Sequence, residues 1–140
     1  MLGRFLRERR QSRREGLDLP VHFRIYLPSS PDTASPLLPG QLQDFSHQGI
    51  ALLTNSIHSD RLHVFHPMPT TSEQCLLEIR IPCRGEELTL HGKVIWYDRN
   101  TEENPFLFRV GIKLLDNAKE LRKQIEASLR EHVSPADSPL

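Results

Sequence analysis

Two cysteines, Cys75 and Cys83, stand eight positions apart with no second pair, so neither a disulfide framework nor a four-cysteine zinc site can be built. Both read as buried thiols. Long apolar runs are missing too: no stretch approaches the roughly 20 residues that span a bilayer, and MLGRFLRERR lacks the continuous apolar segment of a secretory signal. The expectation is a soluble, cytoplasmic protein with no membrane insertion. Catalytic signatures are absent: there is no glycine-rich phosphate loop, no HExxH and no nucleophile elbow. A binding module is therefore expected rather than an enzyme, with no cofactor. His58, His63 and His66, at spacings of five and three, have no helix to align them and no fixed carboxylate pair nearby, so no metal site is expected.

What is present suits one small domain. Hydrophobic residues make up 37% of the 140, enough for a single core and too many for wholesale disorder. A net charge of zero hides an asymmetry. Arg4, Arg7, Arg9, Arg10, Arg13 and Arg14 face only Glu8 in the first 14 residues, a local charge of +5 that leaves −5 for the rest. A cationic arm on a mildly acidic body seeks an anion.

Leu17, Leu19, Val21, Phe23 and Ile25 alternate with polar residues, which predicts a half-buried strand. The proline-rich stretch from Leu27 to Gly40 reads as a loop. A second strand is expected from Gly49 to Leu53, followed by a blurred segment from Thr54 to Ser72 that resembles an insertion. Strand signals return at Leu76 to Ile81, stopped by Pro82, then at Leu88 to Trp96 and at Phe106 to Leu115, where Gly111 marks a bulge or a point of close packing. Trp96 reads as barrel core. From Asp116 the period changes: Leu121, Ile125 and Leu129 recur every four residues, with charged residues between them, which predicts a helix. The organisation expected is a basic arm over 1–16, a mainly β antiparallel barrel over 17–115, an amphipathic C-terminal helix over 116–133 and a disordered tail over 134–140.

Two short motifs carry chemistry. RxxxR is met by Arg10 and Arg14, and one residue earlier by Arg9 and Arg13; DFSHQG then supplies Asp44, Ser46 and Gly49 in the pattern [DN]xSxxG. In this order, with LHGKVIW and FRVGIKL further on, the sequence resembles the PilZ family, receptors for the bacterial messenger cyclic di-GMP, from about Glu8 to Leu129. By itself the arginine run would read as a generic polyanion-binding tail, and DFSHQG as an Asx turn.

The chemistry of the residues agrees with the resemblance. A guanidinium can grip a phosphate with two hydrogen bonds, pair with guanine O6 and N7, or stack on the base, and it stays charged throughout the physiological range. A carboxylate suits the donors on the other guanine edge, Ser46 can donate to a phosphate, and Gly49 permits close backbone approach. The resemblance implies that Arg9, Arg10, Arg14, Asp44, Ser46 and Gly49 bind the ligand, with Arg13 and Trp96 as secondary candidates. It also implies that the arm closes over cyclic di-GMP, bound singly or as an intercalated dimer, and that the output passes to a downstream protein. Two rivals stand beside this reading. One is a degenerate PilZ protein that serves only as an interaction subunit, against which the complete motifs speak. The other is a nucleic-acid-binding barrel, for which the few aromatic residues form no stacking platform on one strand face.

Overall fold

Alternating apolar residues produce the first strand, β1 (Leu19–Leu27), in which Leu19, Val21, Phe23 and Ile25 are buried while Pro20 and His22 are exposed. The computed structural model describes residues 19–46, 49–83, 85–115 and 123. Eight further strands follow among these residues: β2 (Ser30–Ala34), β3 (Leu38–Ser46), β4 (Gly49–Thr54), β5 (His58–Ser59), β6 (Leu62–His63), β7 (Leu76–Cys83), β8 (Glu86–Arg99) and β9 (Phe108–Leu114). Pairing runs β1-β3-β4-β9-β8-β7 and returns from β7 to β1, antiparallel throughout, which closes a six-stranded barrel. Closure leaves these six strands no free edge.

Phe23, Ile25, Leu52, Leu77, Ile79, Ile81, Leu90 and Val110 fill the interior. Each is fully buried and contributes about 1.5–3 kcal/mol through loss of apolar surface to water. The closing seam carries an outer clasp, where Arg24 of β1 donates twice to Glu78 Oε1 (3.1 and 2.9 Å) and Arg80 donates to Glu78 Oε2 (2.9 Å). Burial alone would push the Glu78 carboxyl up, but the two guanidinium groups outweigh it and hold the group below the usual carboxylate range.

Part of the proline-rich stretch forms strand rather than loop. β2 and β3 follow one another along the same side of β1 with a break at residues 35–37, and Ser35 bridges the break. Its backbone N–H donates to the Ile25 carbonyl (2.8 Å), and its Oγ accepts from the Ile25 N–H (2.9 Å), which together replace a strand pair. Pro31, Pro36 and Pro39 lie at exposed positions, where a missing N–H is tolerated. For the same reason β7 runs through the exposed Pro82 to Cys83 instead of stopping before it.

The segment after β4 forms the small β5–β6 hairpin, which sends Leu62 and Val64 into the core with Ile57, Phe65 and Met68 packed behind them. His63 organises its exit. Nδ1 of this ring accepts from the backbone N–H groups of Phe65 (2.9 Å) and His66 (3.0 Å), so the ring must be neutral at that nitrogen. Burial, then the neighbouring His66 and His58, lower its pKa from the ordinary 6.5. Below that value the unfolded chain binds the proton more readily than the folded one, so stability is expected to fall as pH drops through the region beneath about 6.5. Thermal melts from neutral to mildly acidic pH would check this against His63→Asn, whose Oδ1 can accept similar bonds without titrating. Equal pH dependence in the two proteins would remove His63 from the account.

Cys75 is a free, fully buried thiol, and burial pushes its pKa up, which leaves it unreactive. The Cys83 side chain, the arm, the tail and the predicted helix lie outside the described residues, except that Lys123 is described as helical and exposed. Among the described residues no helix is long and apolar enough to cross a membrane.

Candidate functional site: a cross-strand row on the barrel

Two β-bulges decide which residues meet on the barrel. In β3, Leu42 pairs with Leu52 and Asp44 with Ala51, so Gln43 is an extra residue. The core residue Leu52 and its neighbour Ala51 point to opposite faces, and the bulge moves Asp44 out of the register position it would otherwise share with Leu42. Gln43 is 2% exposed, and its Nε2 donates to Glu102 Oε1 at 2.5 Å, tying the motif strand to the β8–β9 connection. Beyond the bulge Phe45 pairs with Ile50 and Ser46 with Gly49.

The second bulge lies in β8, where Val94 pairs with Ile112 and Trp96 with Gly111, leaving Ile95 as the extra residue, 51% exposed. The shift sends Tyr97 against the core and leaves Trp96 half-buried outside the core cluster. Trp96 is therefore not barrel core, as simple alternation from Val94 would make it. A Cβ built on Gly111 would fall 2.1 Å from Trp96 Cε2 and 2.3 Å from its Nε1, so the indole lies directly on the glycine. Gly111 thus provides close packing, while the bulge belongs to the strand opposite.

The registers then align one row across four strands: Trp96 in β8, Gly111 in β9, Ala51 in β4 and Asp44 in β3. A neighbouring row begins with the Gly49–Ser46 pair. Gly49 is required by close approach, since a Cβ there would stand 2.0 Å from the Ile112 carbonyl oxygen, a backbone atom with nowhere to go. β4 is buried along its whole length, including Ala51 at 5% exposure, so the strip between Trp96 and the motif strand is a packed floor.

Of the residues the sequence nominated, Gly49 and Trp96 have described side-chain environments, whereas Asp44 and Ser46 are placed by backbone register. Arg9, Arg10, Arg13 and Arg14 lie outside the described residues. The first described strand residue, Leu19, pairs with Leu42, two residues from Asp44. Sequence reasoning missed Gln43 and Ala51. Nothing local marks Gln43 as a bulge, and its partner Glu102 is 59 positions away.

Replacing Gly111 with alanine is expected to push the indole off the strand. The cost should be about 1–3 kcal/mol, typical of overpacking. Because Trp96 is the sole tryptophan, its emission would shift toward that of an exposed indole while the melting temperature falls. Unchanged emission would show that the ring does not depend on this glycine.

A closed six-stranded barrel that sets the Asp44–Ser46 strand into one row with a tryptophan defines a small β-barrel domain. The family model described as PilZ domain matches residues 8–131, and the chain belongs to the PilZ family, a family of cyclic di-GMP receptors. Among solved structures it is similar to the PilZ domain of CeSA from a cellulose-synthesizing bacterium, at 21% identity over 86% of this chain and 93% of that one, with a TM-score of 0.40. No curated protein matches the chain.

Proposed function

We propose that the chain is a cytoplasmic cyclic di-GMP receptor whose arginine arm closes over the nucleotide at the Asp44–Trp96 row, presenting the closed form to a partner protein. The observation that carries this reading is the row itself: two bulges, in strands far apart in sequence, bring the DxSxxG strand and Trp96 into one line across the barrel. Each residue then has a chemical task. Arg10 and Arg14 take phosphates or the O6 and N7 edge of guanine, with Arg9 and Arg13 as the alternative register. Asp44 accepts from guanine N1–H and the exocyclic amine, Ser46 donates to a phosphate, and Trp96 offers an aromatic edge to a base.

Closure has a thermodynamic logic. Six arginines close together repel one another, so the counter-charge of the phosphates favours their convergence. Fixing each backbone residue costs about 1–2 kcal/mol, which over the arm rivals the roughly 8 kcal/mol of a micromolar complex. Several contacts must therefore form together, and a partner selective for the closed arm would read ligand occupancy by population shift. Titration of Trp96 fluorescence with cyclic di-GMP tests the placement, with GTP and cyclic di-AMP as controls. A saturable change with cyclic di-GMP alone is expected. Binding seen by another method with no change at Trp96 would move the ligand off this row.

A further inference from the structure

We propose that Lys93 and Lys113 form a cationic subsite on the outer face of the barrel that takes a phosphate of the nucleotide; the inference rests on the ligand reading above. The two lysines face one another directly across β8 and β9. Both are exposed, while Gly92, Val94, Ile112 and Leu114 on either side of them are buried. Their side chains therefore leave the barrel on its outer face.

Lys113 is also a neighbour of the motif. One step beyond the Ile50–Ile112 pair, the β4–β9 register brings it beside Gly49, where a built Cβ would lie 3.4 Å from Lys113 Cα. Gly49 in turn pairs with Ser46. Lys93, Lys113, Gly49 and Ser46 thus make up the row adjoining that of Trp96, Gly111, Ala51 and Asp44. The rows are two strand residues apart on β9, about 7 Å, a separation that one nucleotide spans. Gly49 is buried, whereas both lysines of the row are exposed.

Their pairing is electrostatically unfavourable in the free chain. Like charges directly opposite in a sheet destabilise it, and neither lysine forms an ion pair among the described residues. Among the described residues, Glu78 is held by Arg24 and Arg80, and Asp98 lies opposite Arg109 in the strand register. A phosphodiester between the ammonium groups would remove the repulsion and convert it into binding. The lysine pair would then supply point charges fixed on the barrel.

The test uses the full chain and cyclic di-GMP, with rapid-mixing kinetics and calorimetry at low salt and at about 0.5 M salt. Lys93→Ala combined with Lys113→Ala is expected to weaken binding about 5- to 20-fold at low salt, chiefly through slower association, with the deficit shrinking at high salt. Lys93→Glu should raise the melting temperature of the free protein by replacing a repulsive pair with an attractive one, yet bind the nucleotide more weakly than the parent. Variants that bind as the parent does at both salt concentrations would overturn this inference and leave the ligand reading standing. A parent protein that takes no cyclic di-GMP would overturn both.

Discussion

Replacing Arg10 or Arg14 with alanine is expected to weaken cyclic di-GMP binding about 10- to 100-fold while leaving the melting temperature of the barrel unchanged. The size follows from the loss of a charge-assisted contact, worth about 1.5–3 kcal/mol. The unchanged stability is expected from position: both residues precede β1, which opens at Leu19, and so lie outside the strands that close the barrel. Calorimetry and thermal melts on the same variants separate the two effects. Arg9 and Arg13 supply an internal control, because they satisfy the RxxxR spacing one residue earlier. If their replacement weakens binding and that of Arg10 and Arg14 does not, the arm uses the earlier register.

Asp44→Ala is expected to change what the site selects as well as how tightly it binds. A carboxylate accepts from guanine N1–H and the exocyclic amine, and the adenine edge presents a different pattern, so removing it leaves phosphate attraction largely in place but discards base discrimination. The ratio of cyclic di-GMP to cyclic di-AMP affinity should therefore collapse along with a roughly 10- to 100-fold loss for the cognate nucleotide. A variant that keeps the parent's ratio would exclude Asp44 from base contact. Gln43 sharpens the reading, because its bulge sets the register position of Asp44.

Much of the barrel is legible in the sequence, for identifiable reasons. β1, β4, β7 and β9 announce themselves through β-branched and leucine residues bounded by turn residues. The strand that carries the motif is the one that hides. β3 begins inside the proline-rich stretch, and its continuity with β2 depends on Ser35 bonding to Ile25 ten positions earlier, a tertiary contact no local pattern reveals. Trp96 is misplaced by sequence reading because alternation assumes one residue per step, and Ile95 breaks that rule without any glycine to signal it. The motif residues themselves are recognisable by type and spacing. Their alignment with Trp96 emerges only when the strands are put in register.

The central claim is guanine-selective recognition of cyclic di-GMP by the full chain, and isothermal titration calorimetry with cyclic di-GMP, cyclic di-AMP and GTP tests it most directly. Saturable heat at about micromolar concentrations of cyclic di-GMP, with neither control competing, is the result expected. Absence of binding to cyclic di-GMP, or equal binding of all three nucleotides, would contradict it.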